Sequence, residues 1–269
     1  MREAVNECMH RLGIEYFAVL DYRECRECSP GIMRRAGFAP KSAIVYLLPY
    51  YVGETVNISR YAASLDYHLA IAEVNAAISA AIHALAPDAM TQGYGDHSPI
   101  DERHAALIAG LGVAGNNGLI INDRYGSYVF VGDLVTDLPP EALGATPPKP
   151  IARCEGCGSC RAACPTGILR GDSDACLSAI TQRKGILADS EIAMMRAYNT
   201  AWGCDLCQTS CPHNAAPRIT PIEFFHRENI LCLTRDILDA MTDDELARRA
   251  YAWRKRQTVE RNLDLLENK

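Results

Sequence analysis

The chain has no apolar run approaching the roughly 20 residues that a membrane-spanning helix needs, so no membrane span is expected. Its opening residues, Met1 to Cys8, are polar and include Glu3 and Glu7. Without an apolar stretch and a small-residue cleavage site, the sequence predicts no signal peptide and a cytoplasmic protein. Basic residues are not in excess either: 27 Lys and Arg face 33 Asp and Glu, a formal net charge of −6. That removes any bulk electrostatic drive towards nucleic acid, and no DNA partner is expected; only a local basic patch would serve. Fixed-period repeats and low-complexity tracts are also missing, so neither a repeat architecture nor a disordered segment is expected.

What the chain does have is cysteine, twelve in 269 residues. Without export signals, that number points to a reducing compartment and to metal rather than to disulfides. Cys154, Cys157, Cys160, Cys164 and Pro165 spell C-x2-C-x2-C-x3-C-P, the bacterial ferredoxin spacing. Cys204, Cys207, Cys211 and Pro212 repeat the device one cysteine short, and Cys176 between the runs makes up the number. Eight thiolates in this arrangement are what two [4Fe-4S] clusters require. C-x2-C pairs also build zinc sites, but a zinc ribbon leaves the third and fourth cysteines and their prolines unexplained. The expected wiring crosses over. Cluster one takes Cys154, Cys157, Cys160 and Cys211; cluster two takes Cys164, Cys176, Cys204 and Cys207. Cys25 and Cys28 form a lone pair that reads as incidental, and Cys8 and Cys232 have no partners in sequence.

Along the chain, Glu3 to Leu12 reads as a short amphipathic helix, Tyr16 to Leu20 as a strand, and Ser42 to Leu48 as a buried strand stopped by Pro49. Leu65 to Leu85 reads as one long helix. The loop Gly93 to Arg103 leads into another, capped by Asp96 or Ser98 and ended by Gly112. Leu119–Asn122 and Tyr128–Val131 are expected to pair as a hairpin. Five prolines between Leu138 and Ile151 mark a linker. After it, Asp189 to Tyr198 reads as a helix, and Thr220-Pro221 as a helix start. Thr242 to Glu245 is a capping box opening a charged helix to the end of the chain. Arg248, Arg249, Arg254, Lys255, Arg256 and Arg261 on it read as a solvated face.

Between about Lys41 and Asn268 an ordered set of motifs resembles the epoxyqueuosine reductase family, relatives of the reductive dehalogenases. The set begins with Ser59-Arg60-Tyr61, Asp66-Tyr67-His68, and Asp96-His97-Ser98-Pro99 followed by Glu102-Arg103. It continues with Ala109 to Gly112, Gly126 to Tyr128, Phe130 to Gly132 and Thr136 to Pro139. Cys176 to Thr181 and Gly203 to Gln208 complete it. The resemblance implies an α+β fold: a nitroreductase-like α/β cobalamin and substrate domain at 1–138, a linker at 139–151, a helical ferredoxin-type double-cluster lobe at 152–220, and terminal helices at 221–269. It implies base-off cobalamin, reduction of an epoxide to an alkene, and an external flavodoxin- or ferredoxin-type electron donor. By motif, Asp96 falls on the family's proton donor, and Asn117 and Thr181 fall where the family contacts the corrin or its tail; with Arg60 and Tyr61 of the first motif and Asp96 itself, these are the expected cofactor-binding residues. His68 is expected not to ligate cobalt. Two positions depart from the family's usual aromatic residue and lysine: Val113 and Asn116. The family's tRNA enzymes continue into helical HEAT-like repeats beyond the position of Lys269, so a short form is expected, acting on a small molecule or on queuosine tRNA. The competing readings are a ferredoxin-like electron carrier and a reductase that reactivates another protein's corrinoid.

Overall fold

The computed structural model describes residues 1–267; positions 268 and 269, where the expected last helix and the family resemblance end, lie outside the described residues. The chain folds as two compact units, residues 1–49 with 68–155, and residues 50–67 with 156–269. Among the described residues no helix is long and apolar enough to cross a membrane.

The first unit runs α1 (Arg2–Arg11), β1 (Phe17–Asp21), α2 (Pro30–Ala36), β2 (Ser42–Pro49), α3 (Tyr67–His83), β3 (Thr91–Tyr94), α4 (Glu102–Ile108), β4 (Val113–Ala114), β5 (Ile120–Ile121), β6 (Val129–Thr136) and α5 (Pro140–Leu143). Four strands form an antiparallel sheet in the order β1-β2-β6-β3. β2 is buried along its whole length, because helices cover both faces of the sheet and its side chains alternate between them. Ala43, Val45 and Leu47 pack in one core with Ala105, Ala106 and Ile108 of α4. On the other face the Tyr46 hydroxyl donates to Asn75 Oδ1 of α3, at 3.0 Å. The close approach of Tyr46 explains Gly132 on the facing strand, where an added Cβ would lie 2.5 Å from the phenol.

Three expectations fail here. α4 is capped by Asp101, whose Oδ1 accepts from the His104 N–H at 2.8 Å, and not by Asp96 or Ser98. It ends at Ile108, with Gly110 rather than Gly112 taking the positive φ, because Leu111 and Gly112 turn towards the small β4–β5 pair. β5 and β6 do not form a hairpin. The Asn122–Gly126 turn closes on itself, β5 pairs with β4, and β6 crosses the sheet between β2 and β3. Register to the long buried strand outweighs proximity in sequence.

The second unit is helical: α6 (Ser159–Ala163), α7 (Leu177–Thr181), α8 (Asp189–Ala197), α9 (Leu206–Thr209), α10 (Arg235–Ala240), α11 (Asp243–Ala247) and α12 (Arg256–Glu267). Its larger core gathers Trp202, Leu233, Leu238, Tyr251, Val259 and Leu263. A smaller one sets Leu177, Ile180 and Met195 beside Cys204. Thr220-Pro221 opens only a 3-10 turn at Glu223–His226, not an α-helix. The Thr242–Glu245 capping box forms as expected. The helix it starts stops at Ala247, and α12 begins afresh at Arg256 after Lys255 takes φ 71°.

Candidate functional site

Every cysteine expected to hold a cluster, except Cys154, lies in the second unit. Cys154 stands at the end of the first, its main-chain N–H donating to Ala114 O at 3.1 Å. α6 and α9, which carry Cys160 and Cys207, pack together. Burial first, and then neighbouring Cys204, Cys176, Asp205 and Cys160, raise the Cys207 thiol to about 12. Burial likewise raises Cys204 to about 11, with Cys176 and Cys164 adding to the effect. Cys204 thus lies near Cys176 and Cys164, and Cys207 near Cys204, Cys176 and Cys160, so thiols expected in both clusters crowd together here. Cys164 is set apart. Burial raises it, but the Leu169, Gly167 and Thr166 main-chain N–H groups and the Thr166 hydroxyl hold it below its ordinary value. Crowded sulfurs of this kind ionise when a cationic centre binds them. Among the described residues no three His, Cys, Asp or Glu side chains converge on one point as they would around a single ion. Cys25 is buried in the core of the first unit; its thiol, raised to about 12 chiefly by burial, donates to Asp21 O at 3.8 Å.

A web around Asp205 fixes the loop that carries Cys204. Its carboxylate accepts from the Ser59 hydroxyl, from the Arg60 N–H at 2.7 Å and from the Arg60 guanidinium at 3.1 Å. Arg60 also pairs with Glu54. Beside this web a cavity of about 190 Å³ opens, lined by Arg60, Cys204, Asp205, Tyr198 and Thr200 among others. Tyr61 accepts from Trp202 Nε1 at 2.9 Å. Thr181 is wholly buried; its hydroxyl donates to Ser178 O at 2.8 Å and accepts from the Gly203 N–H at 2.9 Å, so its polar capacity is committed inside the unit.

The other candidate residues belong to the first unit. Asp96 follows β3 and sits at φ 60°, with the His97 N–H donating to Gly95 O at 2.7 Å. This is the three-residue turn with positive φ at its centre, a strained form. Asp96 is exposed and reaches His68 Nε2 at 3.6 Å. Its main-chain N–H donates to Glu102 Oε1 at 3.1 Å. Asn117 is half-buried, its Oδ1 accepting from the Leu119 N–H at 3.2 Å. Sequence reasoning assigned no role to Glu102, Asp133, Asp205 or Asn262. The signal for Asp133 was a lone acid inside the apolar run of β6; for Glu102 it was its place in the Asp96 motif.

The residues at 153–214 match the 4Fe-4S double cluster binding domain. Epoxyqueuosine reductase of Bacillus cereus is 35% identical over 154 residues, 55% of this chain and 39% of that protein. The enzyme of Leadbetterella byssophila is 33% identical over 202 residues, 71% of this chain and 64% of that protein. The chain thus spans between two fifths and two thirds of the length of these relatives. Among solved structures, epoxyqueuosine reductase from Streptococcus thermophilus aligns with a TM-score of 0.75 at 23% identity, over 99% of this chain and 80% of that one. An epoxyqueuosine reductase bound to an epoxyqueuosine-modified tRNA stem loop aligns with a TM-score of 0.75 at 21% identity, over 98% and 80%. These likenesses agree with the motifs met in sequence: this chain is a relative of the epoxyqueuosine reductases and carries a 4Fe-4S double-cluster domain.

Proposed function

We propose that the protein is a cobalamin-dependent iron–sulfur reductase that removes the oxygen of an epoxide, with epoxyqueuosine, free or in tRNA, as the substrate. The observation that carries this reading is Asp96: an exposed carboxyl on a strained turn, 3.6 Å from His68, in a chain that also holds a double-cluster domain. In the overall change both carbon–oxygen bonds break, an alkene forms, and two electrons and two protons carry the oxygen away as water. An external electron donor of the flavodoxin or ferredoxin kind supplies the electrons.

Cys154, Cys157, Cys160 and Cys211 would hold one cluster, and Cys164, Cys176, Cys204 and Cys207 the other. Bound cobalamin, for which Asn117 and Arg60 are the candidate contacts, supplies a two-electron reductant. The groups present suit it in one respect: the Asp96 carboxyl is exposed at the centre of its turn and so can meet a substrate oxygen. Thr181 holds the Gly203 turn ahead of Cys204 and supports the site from within. Asp96 delivers a proton to the leaving oxygen, and His68 orients its carboxyl.

Asp96→Asn tests the reading, because it keeps the shape and cannot deliver a proton. With clusters and cobalamin loaded, turnover of epoxyqueuosine is expected to fall about a hundred- to ten-thousand-fold. Cluster absorbance and the base-off cobalamin spectrum should be unchanged. Assays with nucleoside and with modified tRNA separate the two substrates. An Asp96→Asn variant as active as the parent removes Asp96 from the mechanism; a parent inactive on both substrates leaves the electron-carrier reading.

A further inference from the structure

Beneath the Asp96 turn lie two carboxyl groups that the reaction above does not use. Glu102 opens α4, and its Oε1 accepts from the Asp96 N–H at 3.1 Å, while its Oε2 is buried without a hydrogen-bond partner. Asp133, in the middle of β6, is wholly buried. Its Oδ2 accepts from the Ser98 hydroxyl at 3.0 Å, and its Oδ1 is likewise buried without a partner. Ser98 lies two residues after Asp96, and its oxygen also accepts from the Ile100 N–H at 3.2 Å. Both arms of the Asp96 loop are therefore tied to a buried carboxyl, one through the main chain and one through Ser98. An ionised carboxylate left with a bare buried oxygen is costly, and two close together are costlier still.

We propose that Glu102, backed by Asp133, is the positioning residue of the Asp96 acid, holding its strained turn through the main chain and sharing charge with it. This deepens the functional reading given above and rests on it. Burial first and the Asp96 charge second raise Glu102 to about 7. Asp133 is driven well above its ordinary range by burial and then by the Glu102 charge. Asp96 and Asp101 act on Glu102 in the raising direction, His68 and the Asp96 N–H in the lowering one, and Asp133 also faces it. Tyr46, raised by burial and by both carboxyls, stays neutral beside them. When Asp96 gives up its proton, its new charge is opposed by an ionised Glu102 and tolerated by a neutral one. Turnover therefore falls as pH rises through about 7, where Glu102 ionises.

The test uses the full chain loaded with clusters and cobalamin, with variants Glu102→Gln, Glu102→Ala and Asp133→Asn. Infrared titration of the carboxyl stretch needs no substrate. It should show an acid ionising near pH 7 that disappears in Glu102→Gln and persists in Asp133→Asn, because Asp133 stays neutral while Glu102 titrates. In turnover, Glu102→Gln keeps an acceptor for the Asp96 N–H but should lose the alkaline fall near pH 7, with KM unchanged. Glu102→Ala also loses the tie and should drop kcat about a hundred-fold. No carboxyl step sensitive to Glu102→Gln overturns the proposal, as does a Glu102→Ala pH profile identical to the parent's. A parent with the infrared step but no turnover on nucleoside or tRNA overturns the functional reading while upholding the coupled pair.

Discussion

Asn262 shows how one side chain can close a unit. It is wholly buried on α12, and its amide donates to Thr181 O and to Ala201 O, each at 2.7 Å. These carbonyls flank the two segments that bring in Cys176 and Cys204, so a residue far along the chain fixes the spacing of two expected cluster ligands. Asn262→Leu preserves volume but leaves both carbonyls without that donor. It should lower stability by about 1–3 kcal/mol, read as a lower urea midpoint at unchanged slope. Nothing in the sequence marked this asparagine, because its value comes from two carbonyls more than 60 positions away. Asp133 was more legible, since an acid inside an apolar strand must have a reason to be there. Glu102 was in plain view within a motif, but only the Asp96 N–H pointing at it gives it a task.

At the scale of elements, the amphipathic helices and the long buried strand were readable because their signal is local. α1, β2, α3 and α8 fall within a few residues of their expected ends. The partners of β5 and β6 were not readable, because pairing is decided by the sheet and not by the turn between them. The basic stripe resolves in the same way. Arg248 pairs with Glu228 at 3.0 Å, Arg249 is buried with its guanidinium on Glu228 O at 2.7 Å, and Arg256 closes the end of α10 on Leu238 O and Met241 O at 2.5 and 2.7 Å. Three of its cations thus serve the fold. The turn before Cys204 gives the sharpest element-scale expectation. Gly203 has φ 75°, and an added Cβ would lie 2.4 Å from Ser59 Cβ. Gly203→Ala should cost more than the roughly 1–2 kcal/mol of its positive φ alone and lower retained iron, since the clash moves the Cys204 loop. Gly158, at φ 85° with open space around it, is the control. Gly158→Ala carries only the backbone penalty of about 1–2 kcal/mol.

For the molecule as a whole, the cysteines divide into those the clusters need and those they do not. Iron and sulfide should each approach about eight per chain in anaerobically reconstituted protein, from two four-iron clusters. Serine at Cys8, Cys25, Cys28 or Cys232 should leave the cluster absorbance intact. Cys8 and Cys25 are buried in the first unit's core, and their replacement costs packing rather than iron. Loss of the cluster spectrum on any one of these four changes would show that the ligand set is drawn wrongly.

The two units should also differ in their dependence on metal. The first unit owes its order to a four-stranded sheet with a continuous core, and apart from Cys154 it contains none of the expected ligands. Residues 156–188 of the second are short helices and turns whose apolar anchors are few, chiefly Leu177, Ile180 and Leu187. Such a segment buries too little to offset its ordering entropy unaided, so cluster binding must contribute to its folding. Chelating the iron should therefore release amide protection selectively. Exchange should accelerate most across 156–188, less in the Trp202–Tyr251 core that packs without metal, and least in β2 and β6. Hydrogen exchange with peptide-level resolution reads this directly. If β2 and β6 lose protection in step with 156–188, the sheet depends on the clusters and the two units fold as one. If 156–188 stays protected without iron, its order comes from the chain alone and the clusters are passengers in a preformed lobe.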